Sequence, residues 1–421
     1  MESFVIEGGR ALYGTIKIQG SKNAALPILA ASLLAEGIHQ IDDVPRLLDI
    51  DVMVQILTRL GVDVKREQNT ISLDTRTILS TVVPEELMSQ MRSSIFLMGP
   101  LLARFHEVTV SKPGGCAIGE RKIDLHIKGL KALGAKIEEV ENHIICRADR
   151  LTGTTIVLDY PSVGATENIM MAATRADGET KIIHPAKEPE IVDLQNFLNM
   201  LGAKVSGAGT DMITIEGVKR LHSVPYYQII PDRIVAATFM AAVGITGGKI
   251  TLKNVIPAHL SKVIEYLHNV GIEIENDHDI MTIKRDNRRL KAVKKIITSP
   301  YPGFPTDMQA QFMVLLSIAD GISTIEETVF DSRYKHVKQL ISMGAKIEVD
   351  GRLATIYGVD HLFGREVVAS DLRAGAALVL AGMAAEGKTT VHDIYHIDRG
   401  YEKLEETLQA LGANIMRIKK M

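Results

Sequence analysis

A chain of 421 residues, 46% of them hydrophobic and 24% charged, has enough material for more than one hydrophobic core and the composition of an ordinary globular protein. Its net charge of −3 excludes a broad nucleic-acid-binding face. Its two cysteines, Cys116 and Cys146, exclude a disulfide framework and, lacking a CxxC pair, offer no zinc site.

The opening MESFVIEGGRALYG lacks the basic and then apolar order of a signal peptide, and the longest apolar runs, such as Ala24–Ala35, are too short to span a bilayer. A cytoplasmic protein without a membrane partner is expected. The N-terminal strand is expected to join the C-terminal half of the chain. Next comes NAALPILAASLLAEG, headed by Lys22 and Asn23, which reads as a helix small and apolar nearly all round, and therefore buried. LTRLGVDV then reads as the end of an amphipathic helix, closed by Gly61 in the left-handed conformation, followed by an alternating strand.

The same order returns five times. RSSIFLMGPLLARF, starting at Arg92, precedes LKALGAKI with Gly134, and ATENIMMAATRADG, behind Ser162, Val163 and Gly164, precedes LNMLGAKV with Gly202. DRIVAATFMAAVG opens on Asp232 and Arg233 and leads to LHNVGIEI with Gly271. TDMQAQFMVLLSIADG contains Asp307 and leads to LISMGAKI with Gly344. LRAGAALVLAGMAAEG, next to Asp371 and containing Arg373, leads to LQALGANI with Gly412. The glycines stand 68 to 73 residues apart, a period longer than that of a solenoid. Each repeat reads as strand, buried helix, strand, surface helix and a pair of strands. The expected fold is α/β, with six repeats gathered into two globular domains. One is discontinuous, 1–20 with 230–421. The other, 21–229, carries a loop at 112–122.

Polar residues gather where the buried helices begin, and there free backbone N–H groups and the helix dipole favour anions. For any one cation a solvated cap is the plain reading. Recurrence beside helices with little solvent face favours an anionic ligand, since a buried charge without a partner is costly. Arg333 in FDSRYKH and Arg399 in HIDRGYEK are further candidates, each equally readable as half of a structural ion pair. Cys146, within HIICRA, reads as a small buried hydrophobe. Cys116 lies among Gly114, Gly115 and Gly119 with Arg121 and Lys122 downstream, a setting that lowers a thiol's pKa and suits a proton donor or nucleophile. Asp307 reads equally as a helix cap or a general base. No ligand cluster implies a metal or an organic cofactor.

The strings GSKNAALPILAASLL, MRSSIFLMGPLLAR, PGGCAIGERKIDLHIKGL, PSVGATENIMMAA, KEPEIVDL, IIPDRI, GFPTDMQAQ, SDLRAGAALVLAG and HIDRGYEKLEETLQALGA resemble, in number and order, the UDP-N-acetylglucosamine enolpyruvyl transferases of peptidoglycan synthesis. The resemblance covers essentially the whole chain. It implies the two-domain inside-out α/β barrel, with buried helices surrounded by sheets, and small-molecule substrates, phosphoenolpyruvate and UDP-N-acetylglucosamine. It implies Cys116, Asp307 and Lys22 as catalytic residues. Lys22, Arg121, Arg333, Arg373 and Arg399 would hold phosphoenolpyruvate, with Asp371 nearby. Asn23, Arg92, Arg121, Lys122, Ile123, Asp124 and Leu125 would meet the nucleotide sugar, as would Tyr160, Pro161, Ser162, Val163, Gly164, Asp307 and Val329. Cys116 would be the target of fosfomycin-type alkylation. Lys122 stands where the family usually has proline, and Tyr160 with Pro161 where a basic residue is common, changes that bear on uridine contacts. The text resembles the second of two forms carried by some low-GC Gram-positive bacteria. The nearest enzymatic rival is 5-enolpyruvylshikimate-3-phosphate synthase, against which the cysteine loop and GFPTDMQAQ argue. The rival of another class is a non-catalytic nucleotide-sugar sensor, which would be expected to have lost the thiol or a clustered cation.

Overall fold

Six glycines, Gly61, Gly134, Gly202, Gly271, Gly344 and Gly412, end six helices at φ between 94° and 108°, a region that side chains with a Cβ avoid. Each is followed at once by a strand, from Asp63–Glu67 in the first repeat to Asn414–Lys419 in the last. A computed structural model describes residues 2–112, 123–286 and 288–419, with the side chains of 92 and 93 excepted. The described residues form two compact units, 2–19 with 231–419 and 20–112 with 123–230.

In the unit of residues 231–419, three four-stranded sheets surround three helices, Arg233–Thr246, Gln309–Ser317 and Leu372–Ala384. Nearly every residue of these helices is buried, because alanine, glycine and branched apolar side chains leave no polar face. The helices therefore form the core and the sheets the wall. A short strand before the sixth buried helix, Glu366–Val368, runs parallel to the strand after it, Lys388–His392, pairing Val367 with Val391. This is a βαβ crossover with its helix turned inward. The N-terminal strand Glu2–Glu7 completes that sheet between Lys388–His392 and Asn414–Lys419, which is why the sixth repeat needs no second C-terminal strand. Phe304 and Phe312 meet edge to face in the core, with centroids 4.8 Å apart.

The unit of residues 20–230 arranges two four-stranded sheets and one of three strands around Lys22–Ala31, Met98–Phe105 and Val163–Ala173. Thr155–Val157 and Glu179–Ile183 flank its third helix in parallel, with Ile156 opposite Ile182. In each unit the first crossover is completed from a distant part of the chain. Leu12–Lys17 pairs in parallel with Gly248–Lys253, and Tyr227–Gln228 with Ile38–Asp42.

Two of the buried helices open as 3₁₀ rather than α-helix. The second buried helix is a 3₁₀ helix over Arg92–Leu97 and turns α-helical only at Met98. Pro100 then falls in the first α-helical turn, where a missing N–H costs nothing. The fifth likewise opens with a 3₁₀ turn, Thr306–Met308, so Asp307 lies inside the turn and Pro305 holds the cap position. Among the described residues no helix is long and apolar enough to cross a membrane.

Candidate active site

In the unit of residues 20–230, Ser21 caps the first buried helix, its Oγ accepting from the Ala24 amide at 3.3 Å. Lys22 is the first helical residue and is buried, and its ammonium lies 3.0 Å from the Asp49 carboxylate. Asn23 follows it, half-buried. The third helix begins the same way, with Ser162 Oγ accepting from the Ala165 amide and Val163 and Gly164 in the first turn. Tyr160 is exposed and Pro161 half-buried, and the Tyr160 carbonyl accepts from the Ser162 amide at 2.7 Å. Ile123 precedes the helix Asp124–Ala132, whose first turn holds the exposed Asp124 and the half-buried Leu125.

Asn168 ties these segments together. Its side-chain oxygen accepts from the Gly99 amide at 2.7 Å, while its nitrogen donates to the Ile95 carbonyl and lies 2.8 Å from His126 Nδ1. Since the amide nitrogen can only donate, that imidazole nitrogen is the acceptor. A Cβ added at Gly164 would stand 3.1 Å from both His126 and Phe96, so the closeness of these chains depends on the missing side chain. The side chain of Arg92, and Cys116, Arg121 and Lys122 altogether, lie outside the described residues. Cys146 is buried in the strand His143–Arg147, and burial pushes its thiol up to about 12, an inert state at neutral pH.

In the unit of residues 231–419, Asp307 serves no cap. Its Oδ1 accepts from Arg333 Nη2 at 2.7 Å, and its Oδ2 lies 3.6 Å from Arg373 Nη2. Withdrawal from water favours its acid form, but the charges of Arg373, Arg333 and Arg233 outweigh that and hold the carboxyl well below the usual range. Both pairing arginines are buried. Asp371 caps the sixth helix, its Oδ1 accepting from the amides of Arg373 and Ala374 at 3.0 Å. Arg399 ends the 3₁₀ helix Ile394–Arg399, half-buried. Its neighbour Asp398 is held at 2.6 Å by Arg417, which also binds Glu2 and Glu405. Val329 donates its amide to the Glu327 carboxylate at 2.9 Å.

The family model of EPSP synthase (3-phosphoshikimate 1-carboxyvinyltransferase) matches residues 6–408. The chain is 52% identical over 418 residues to UDP-N-acetylglucosamine 1-carboxyvinyltransferase 2 of Caldanaerobacter subterraneus subsp. tengcongensis, covering 99% of this chain and 100% of that one. It is 53% identical over 419 residues to the protein of the same name in Carboxydothermus hydrogenoformans, again covering 99% and 100%. The chain belongs to the UDP-N-acetylglucosamine 1-carboxyvinyltransferase family. A solved structure, the enolpyruvyl transferase NikO from Streptomyces tendae, matches the fold at a TM-score of 0.89 with 24% identity, covering 99% of this chain and 98% of that one.

Residue patterns alone missed three groups that bond to candidate residues or to the segments carrying them: Asp49 beside Lys22 and Asn168 with His126 in the unit of residues 20–230, and Glu327 beside Val329 in the unit of residues 231–419. Asp49 and Glu327 sit in ordinary acidic stretches, LLDIDV and IEETVF, that carry no distinguishing signal. Asn168 offered a weak one, standing with Thr166 and Glu167 as polar residues in a helix expected to be apolar nearly all round.

Proposed function

We propose that the protein transfers the enolpyruvyl group of phosphoenolpyruvate to the 3′-hydroxyl of UDP-N-acetylglucosamine, releasing phosphate, in the first committed step of peptidoglycan precursor synthesis. The carrying observation is the identity of about half, over the full length, with relatives of that name. A cytoplasmic location belongs to the proposal, because phosphoenolpyruvate is an intracellular metabolite. No role for a metal, organic cofactor, nucleic acid or membrane is part of it.

In the addition step, the sugar hydroxyl attacks C2 of phosphoenolpyruvate while Cys116 gives a proton to the methylene carbon and Asp307 receives the hydroxyl proton. In the elimination step, the bond from C2 to the phosphate oxygen breaks and phosphate leaves, while the Cys116 thiolate takes a proton back from the new methyl group and the double bond is restored. Lys22, Arg121, Arg333, Arg373 and Arg399 supply fixed positive charge to the phosphate and carboxylate. Asn23, Arg92, Lys122, Ile123, Asp124, Leu125, Tyr160, Pro161, Ser162, Val163, Gly164 and Val329 receive the nucleotide sugar. An aspartate paired with two guanidinium groups is a weak base. In this reading the donor's anionic groups compete for Arg333 and Arg373, and the proton moves to Asp307 as their hold on it loosens.

The test is phosphate release from phosphoenolpyruvate, with and without UDP-N-acetylglucosamine, by the wild type and Cys116→Ala. Release that requires the sugar nucleotide and collapses in the variant is expected. Shikimate 3-phosphate serving as an equal acceptor would overturn the assignment, and tight nucleotide binding without release would make the protein a sensor.

A further inference from the structure

We propose that Tyr401 is a positioning residue of the transfer reaction, holding Arg373 in the orientation that faces Asp307. This inference rests on the reading of Asp307 and Arg373 given above.

Tyr401 is 2% exposed and lies in the unit of residues 231–419, where three buried helices meet. Each of those helices sends one polar side chain toward its hydroxyl: Thr238 from the fourth, Gln311 from the fifth and Arg373 from the sixth. Arg373 Nη1 donates to the hydroxyl at 3.2 Å and Gln311 Nε2 at 3.4 Å, and Thr238 Oγ1 lies 2.9 Å away. The guanidinium carbon stands 5.5 Å from the Tyr401 ring centroid, so the ring supports the same cation.

The donor inventory fixes the direction of each bond. Guanidinium and amide nitrogens only donate, so the phenol oxygen accepts from both and its single proton must go to Thr238 Oγ1. The Thr238 hydroxyl in turn donates to the Ile234 carbonyl at 2.8 Å, four residues back on its own helix. The chain of bonds therefore runs from Arg373 through Tyr401 and Thr238 to a helix backbone. With Nη1 committed to the phenol, Nη2 is the nitrogen left facing Asp307 Oδ2, at 3.6 Å. Tyr401 thereby determines which edge of Arg373 meets the site.

Tyr401→Phe removes one oxygen and keeps the ring and its cation contact. The KM for phosphoenolpyruvate should rise by about tenfold or more, the loss expected for one hydrogen bond to a charged group. The KM for UDP-N-acetylglucosamine should stay within about twofold. A purely structural defect would lower activity without this split. The charged groups acting on Asp307 are Arg333, Arg373 and Arg233. Once Arg373 is released the carboxyl becomes less acidic, and the acid limb of kcat/KM should move to higher pH. Thr238→Val removes the acceptor for the phenol proton and should act in the same direction with a smaller effect. It decides the question if Tyr401→Phe does not fold. If the wild type releases phosphate and either folded variant shows wild-type KM for phosphoenolpyruvate and an unmoved acid limb, the positioning role is wrong while the transferase reading stands. A wild type that releases no phosphate overturns both.

Discussion

Glu327 shows how much of the site depends on one buried carboxylate. Its Oε1 accepts from Thr298 Oγ1 and from the amides of Val329 and Phe330, and its Oε2 accepts from Thr306 Oγ1 at 2.9 Å. It therefore fixes both the turn that carries Asp307 and the backbone at Val329. Glu327→Gln keeps the shape but removes the charge, and with its oxygen held by the two amides its new NH2 group makes Thr306 Oγ1 change from donor to acceptor. We expect a loss of about 1–3 kcal/mol in stability and a KM for UDP-N-acetylglucosamine raised several-fold, seen in thermal melts and initial rates. Unchanged melting would show that Glu327 is dispensable. Asp307→Asn should lower kcat by roughly 10²–10⁴, the usual worth of a general base. A decrease of less than tenfold in single-turnover rates would remove Asp307 from proton transfer.

The repeated element uses glycine for two different physical reasons. Gly271 ends its helix at φ 101°, and a Cβ there would meet nothing within 4 Å, so only the backbone conformation requires glycine. Gly217 and Gly358 occupy matching places in the third and fifth repeats, directly after the strands Met212–Glu216 and Leu353–Tyr357. A Cβ at Gly217 would fall 1.6 Å from the Ala176 carbonyl oxygen, and one at Gly358 1.7 Å from that of Ala319. Neither backbone can yield, because each glycine amide is bonded across the same junction, to Gly178 and Gly321, at 3.0 Å. Gly271→Ala should cost about 1 kcal/mol. Gly217→Ala and Gly358→Ala should cost several times that and damage expression. Chemical denaturation of the three variants, with similar midpoints for all, would contradict this ordering.

Across the whole molecule, buried titratable groups predict unequal acid resistance. In the unit of residues 20–230, His39 Nδ1 accepts from the Val224 amide while Nε2 faces the Ala35 carbonyl, so protonating Nδ1 would set two donors against each other. Burial lowers His39 to about 4 and His336, in the other unit, also to about 4. A histidine so lowered is protonated in the unfolded chain near pH 6.5 but not in the folded one. The stability from keeping it neutral is therefore complete above pH 6.5 and lost as pH falls toward 4, by about 3 kcal/mol each. Asp193 has the opposite sign. Burial raises it to about 6, so the unit of residues 20–230 gains stability as pH falls through 6. Glu167, wholly buried and raised further, adds to that gain. His336 has no such compensation. Between pH 6.5 and 4.5 the unit of residues 231–419 should lose hydrogen-exchange protection first. Earlier opening of the other unit would contradict this assignment, and His336→Gln should flatten the dependence.

The repeat, the six buried helices, their glycine-terminated partners and the helix starts at Lys22, Val163, Arg233 and Leu372 were legible in the sequence, because each rests on interactions within a few residues: caps, apolar period and left-handed turns. The 3₁₀ opening of the second helix was less so, since Pro100 acts through its place in a turn that composition does not mark. The tertiary structure alone decided the side-chain partners. Lys22 meets Asp49 27 positions on, Arg333 meets Asp307 26 positions back, and Gln311 and Tyr401 are 90 apart. Such pairs form because crossovers bring particular helix ends together, and a charge at one end carries no local sign of which opposite charge or hydroxyl the packing will bring to it.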